Sequence, residues 1–112
     1  MQVFVLILNH REQLEPLLER MVAEGITGAT VLESRGMARV LGDEDTPMFG
    51  MLRSMARDSR AENRTVLAVM HDDQVETMRR LVNEVTGGIS VPGAGIMFAV
   101  PVSFVEGLAN EQ

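Results

Sequence analysis

The sequence predicts an α+β plait of order βαββαβ, a four-stranded antiparallel sheet with two helices on one of its faces. Three observations lead there. Four short apolar runs alternate with two segments whose apolar residues recur at helical spacing. Each helical segment is entered through a capping pattern, and glycine closes both of them. The 112 residues, 46% of them hydrophobic, suit one compact domain with a real core and exclude a disordered tail.

Gln2 to Leu8 reads as the first strand, because Val3, Phe4, Val5, Leu6, Ile7 and Leu8 are apolar without alternation. Such a run belongs in the middle of a sheet, where both faces need cover. Asn9, His10, Arg11 and Glu12 follow as a capping box, with Asn9 at the cap and Glu12 reaching back. The helix behind them places Leu14, Leu17, Leu18, Met21 and Val22 on one stripe, and Gly25 stops it. Residues 29–33 form a second strand, rich in β-branched side chains and extendable towards Met37, and residues 65–70 form a third. Asp73, Gln74, Val75 and Glu76 repeat the capping box. They open a helix that should bury Val75, Met78, Leu81, Val82 and Val85 before Gly87 and Gly88 end it. Residues 96–102 make the fourth strand, and residues 103–112 a short tail. Two strand–helix–strand units of this kind describe the split βαβ, or ferredoxin-like, plait, with the second and third strands as the hairpin-connected central pair.

The connection between those two strands, residues 40–63, is far longer than the 2–5 residues of an ordinary hairpin loop. Within it, Asp43, Glu44 and Asp45 precede Thr46 and Pro47, a cap followed by proline at the first helical position. Met48, Met51, Leu52 and Met55 then fall on one face of a short helix over residues 48–58, with Arg53, Arg57 and Arg60 on another. The methionines suit packing onto the parent domain first, a partner surface second and Cu(I) a distant third. A partner surface would use Met48, Met51, Met55, Arg53 and Arg57.

Composition removes several functions. A net charge of −6 argues against a nucleic-acid binder, and four aromatics, all Phe, leave no base-stacking platform. Without Cys there are no disulfides, thiolate metal sites or cysteine nucleophiles. Every one of the ten basic residues is Arg, so lysine-dependent phosphate and Schiff-base chemistry is excluded. No stretch approaches the roughly 20 apolar residues of a membrane span, and residues 1–8 lack the basic region and cleavage site of a signal peptide. A cytosolic location is the expectation. His10 and His71 belong to no spaced ligand set and suit polar roles at helix entrances. No nucleophile, base and orienting group converge in the sequence, so no enzyme is expected and no catalytic residue is assigned.

The stretch Thr86-Gly87-Gly88-Ile89-Ser90-Val91-Pro92-Gly93-Ala94-Gly95 can be read as a phosphate cradle or as a helix stop followed by a tight turn. Here the residues come to resemble a family. Gly25-Ile26-Thr27-Gly28-Ala29-Thr30-Val31, followed by Glu33, Gly36 and Arg39, resembles the second-strand region of the PII signal-transduction proteins, the nitrogen regulatory protein P-II superfamily. The long insert stands where that family carries its mobile T-loop. Asp72-Asp73-Gln74-Val75 is similar to the start of its second helix. Thr86-Gly87 and Gly93-Ala94-Gly95-Ile96-Met97-Phe98-Ala99-Val100-Pro101-Val102 are similar to its B-loop and fourth strand.

The resemblance, over about residues 1–105, implies a non-enzymatic homotrimer with effector sites in the clefts between subunits and a T-loop that engages a target protein, a transporter or an enzyme. It implies an adenine nucleotide (ATP, ADP or AMP) as effector, held by Thr30, Gly36 and Arg39 on one side and Gly87, Gly93 and Gly95 on the other. The chain also departs from the family. The B-loop pattern Gly-Asp-Gly-Lys is here Gly93, Ala94, Gly95 and Ile96, the loop before it is longer, and the basic C-terminal segment is replaced by Val105-Glu106-Gly107-Leu108. Losing a phosphate cation removes about 1.5–3 kcal/mol, one to two decades of affinity. With no Tyr in the chain, tyrosine uridylylation is impossible. A second expectation on the same plait is a metal-handling trimer resembling the CutA divalent-ion tolerance proteins.

Overall fold

The computed structural model describes residues 1–37, 40 and 63–108. Four strands and two helices follow in the predicted order: β1 (Gln2–Leu8), α1 (Leu14–Ala23), β2 (Ala29–Ser34), β3 (Asn63–Met70), α2 (Val75–Thr86) and β4 (Gly95–Pro101). The sheet order is β2-β3-β1-β4 and every neighbouring pair is antiparallel, an α+β arrangement compatible with the ferredoxin-like plait. β2 and β3 do pair, but the centre is held by β3 and β1, and β2 is an edge strand. The reason is the crossover: the connection through α1 leaves an empty place beside β1, and β3 fills it. β2 stops at Ser34, short of Met37.

The register sorts the strands into two faces. One carries the rows Ala99–Phe4–Ala68–Ala29 and Met97–Leu6–Val66–Val31. Here Phe4, Leu6, Leu8, Val66, Ala68 and Met70 pack with Leu17 and Met21 of α1 and Met78, Leu81 and Val82 of α2 into one core. The other carries Val100–Val3–Val69, Phe98–Val5–Leu67–Thr30 and Ile96–Ile7–Thr65–Leu32, with no described element of the chain over it.

The helices form largely as their spacing predicts. α2 buries Met78, Leu81 and Val82, with Val75 and Val85 on the margins. In α1 Leu17 and Met21 are buried and Leu14 and Leu18 partly so, but Val22 is exposed. At 3.6 residues per turn, Val22 is carried about 100° past Met21, off the packed stripe. Gly25, at φ +82°, ends α1 in a Schellman motif: its own N–H bonds the Val22 carbonyl at 3.0 Å, and the Ile26 N–H bonds the Met21 carbonyl at 2.8 Å. That turn also seats Ile26 in the core.

Neither capping box stands where the sequence suggests. Asn9 is drawn away to the glycine-rich loop, so the chain enters α1 through a short 3₁₀ turn, Arg11–Gln13. At α2 the reciprocal pair lies one step earlier than Asp73. The His71 N–H bonds the Gln74 side-chain oxygen at 2.9 Å, and a 3₁₀ turn, Asp72–Gln74, precedes the helix. Beside it the Asp72 carboxylate lies 3.2 Å from the α-ammonium of Met1, and that hydrogen bond holds its pKa below the ordinary value.

Candidate functional site

Antiparallel register brings one set of strand ends together. The end of β2, the start of β3, the end of β1 and the start of β4 meet along one rim of the sheet, through the pairs Ser34–Asn63, Leu8–Arg64 and Leu8–Gly95. The helix α2 runs back towards the same rim and stops at Gly87, which caps it in the left-handed conformation at φ +81°. Of the residues predicted to bind an effector, Gly36, Gly87, Gly93 and Gly95 therefore lie along this rim, and Thr30 lies on the uncovered face of β2. Within one chain they do not converge. Thr30 and Gly36 belong to the β2 edge and Gly93 and Gly95 to the β4 edge, three strand spacings or roughly 14 Å apart. Arg39 lies outside the described residues, as do Met48, Met51, Met55, Arg53 and Arg57.

At the β2 side of the rim, polar side chains replace the apolar rows. The Ser34 hydroxyl bonds the side-chain oxygen of Asn63 and lies 2.7 Å from the Thr65 hydroxyl, and Asn63 is almost wholly buried. This cluster ties together the two strand ends from which the long insert leaves. A buried amide must be satisfied, so it fixes those ends more tightly than the ladder alone would. Beside it Arg64 approaches Glu33 at 3.5 Å and donates to the Asn63 carbonyl at 3.2 Å. The Val40 N–H bonds the Gly36 carbonyl at 3.0 Å.

At the β4 side the glycine-rich loop is shaped by its own chain. Asn9 clamps it twice, through its side-chain amide to the Gly93 carbonyl at 3.1 Å and through its backbone N–H to the Ala94 carbonyl at 3.2 Å. Thr86 and Asn83 extend the end of α2 into it, accepting from the N–H groups of Gly88 at 3.2 Å and Ile89 at 2.9 Å. The N–H groups of Val91 and Ala94 bond the carbonyls of Gly88 and Val91. Gly95 is the one position where glycine is compulsory on steric grounds. Its φ is +142°, and a Cβ there would overlap the carbonyl oxygen of Ile7. Between the loop and β4 lies an open hollow of about 480 Å³.

Asn9, Ser34, Asn63 and Thr65 are the residues that sequence reasoning missed. Asn9 carries a cap-like signature, and Asn63-Arg64-Thr65 reads as a chance glycosylation sequon, so neither points to its real partner. The available signal was a pair of polar residues flanking a long insert, which pairing of the adjacent strands must bring face to face.

Charge elsewhere is arranged on the helices. Arg20 of α1 pairs with Glu84 of α2, and Arg80 reaches Glu24 at 2.9 Å and Glu84 at 3.5 Å. The Arg20 hydrogen bond, followed by the charges of Arg20 and Arg80, lowers the Glu84 pKa, and the Glu24 bond raises that of Arg80. His10 lies 3.8 Å from Glu12 at the entrance to α1. Among the described residues no group of three or more His, Asp or Glu side chains could hold a metal ion, and no helix is long and apolar enough to cross a membrane. Compared with known proteins, the chain matches no family model and no curated sequence.

Proposed function

We propose that the chain is a subunit of a PII-like signal-transduction protein. In this reading it is a cytosolic, non-enzymatic homotrimer that binds an adenine nucleotide between subunits and controls a target protein through residues 40–63. The observation that carries the reading is the division of the molecule at its rim. The two sets of candidate binding residues occupy opposite edges of one sheet, and the face between those edges is apolar in every row and uncovered. A second copy packed on that face would remove a large apolar surface from water and set one chain's β2 edge beside its neighbour's β4 edge. The Ser34–Asn63–Thr65 cluster supports the regulatory half of the reading. It anchors both ends of the insert next to the cleft, where a ligand that distinguishes two insert arrangements would shift their populations.

Calorimetric titration of the purified protein with ATP, ADP and AMP, with and without magnesium, tests the reading. Saturable binding is expected, weakened by Arg39→Ala. No heat at millimolar ligand would overturn the nucleotide assignment.

A further inference from the structure

The hollow beside the glycine-rich loop has a wall chemistry that narrows what can fill it. Ile89, Val91, Pro92, Ile96 and Met97 supply apolar surface, Ser90 supplies one hydroxyl, and no ionisable side chain lines it. Its frame is already built. The N–H groups of Gly88, Ile89, Val91 and Ala94 donate within the loop and to the end of α2, so they are not turned to an incoming phosphate. Charge opposes a polyanion as well, since the whole chain carries −6. A flat, uncharged ring meets none of these obstacles: a preformed apolar wall with one or two polar atoms is what binds such groups, and about 480 Å³ lies within the usual range for ligand sites.

We propose that this hollow takes the heteroaromatic ring of a nucleoside or nucleoside monophosphate, and that further phosphates add no affinity. The inference rests on the nucleotide reading above and changes the loop's part in it: the ring, not the phosphate chain, lies against residues 89–97.

The test is a set of calorimetric titrations of the full chain with adenosine, AMP and ATP, on the native protein and on Val91→Asp. Val91 is half exposed and outside the core, so the variant should keep the native circular dichroism spectrum. AMP and ATP should bind within about threefold of each other, because a charge-assisted phosphate contact would separate them by about ten- to a hundredfold. Adenosine, which carries no charge to be repelled, should lose about tenfold or more in Val91→Asp. ATP binding tenfold tighter than AMP would overturn this inference and leave the nucleotide reading intact. Adenosine binding unchanged by Val91→Asp would overturn it too, by moving the ring to another site. Failure of all three ligands to bind would overturn the inference and the nucleotide reading together.

Discussion

Phe4, Leu6 and Leu8 leave β1 on one side and are at most 2% exposed; Val3, Val5 and Ile7 leave it on the other and are only partly buried. The two sets differ little in hydrophobicity. What separates them is that α1 and α2 lie over the first set, while no described element lies over the second. The same contrast runs across the sheet, from Met97 against Phe98 in β4 to Val66 against Leu67 in β3. An antiparallel sheet with one face in water normally alternates apolar and polar residues. This one does not, so the sequence is written for two covers and a single chain supplies one.

Substitutions in β1 separate the two faces most sharply. Leu6→Ala opens a cavity beneath both helices and should destabilise the chain by about 2–5 kcal/mol, read as a lower denaturant midpoint that is independent of protein concentration. Val5→Ala, one residue away, should have a much smaller effect on a dilute single chain. Its cost should grow as concentration rises, if the uncovered face is where copies meet. Equal, concentration-independent losses at the two positions would mean that the faces are not distinct in solution.

Gly95 sharpens the comparison at the rim, since it stands in the covered-face row with Leu8 and Arg64. Gly95→Ala places a methyl group against the Ile7 carbonyl at a φ that side chains rarely adopt, and should cost about 1–3 kcal/mol in urea unfolding. This clash sits in the strand ladder itself and does not depend on any second copy, so dilution should leave the loss unchanged.

Phe98→Glu addresses the uncovered face alone. Phe98 is 46% exposed in the chain, so the charge remains hydrated and the fold of a single chain should change by about 0.5 kcal/mol or less. Assembly should respond very differently, because three buried carboxylates close together are costly. Sedimentation should show the proposed trimer reduced to single chains with unchanged circular dichroism. An unaltered assembly mass would show that copies meet somewhere other than this face.

Much of this was legible in the sequence, and the exceptions share a cause. The four strands, both helices and most of the core follow from local periodicity, because Leu17, Met21, Met78 and Leu81 face inward wherever the helices land. The strand order needed more: β2 goes to the edge because β3 takes the place beside β1, a choice made between distant segments. Asn9 illustrates the same limit. Its neighbours make it look like a helix cap, yet its partners are Gly93 and Ala94, brought near only when β4 pairs with β1. The candidate site was legible as a set of residue types, with Thr30 and the glycines Gly36, Gly93 and Gly95 named from the chain. Their placement on opposite edges was not, since it is a property of the completed sheet.

The smallest effect belongs to the ion pairs that join the two covering helices. Arg20–Glu84 bridges α1 and α2 on their outer side, where both groups are more than two-fifths exposed, so solvent screens most of the attraction. Its pH dependence still has a definite sign. Arg20 lowers the Glu84 pKa in the folded state, so the pair's contribution is complete above the ordinary glutamate pKa of about 4.3 and is lost as pH falls through the lowered value. Glu84→Gln should therefore unfold at slightly lower urea than the native chain at pH 7, with the two curves converging in acid. Added salt should narrow the same gap at neutral pH. Leu6→Ala, whose loss is packing, should keep its full deficit under both treatments. A Glu84→Gln deficit that survived acid and salt would show that the glutamate acts through its packed stem, as part of the cover over the apolar face, and not through its charge.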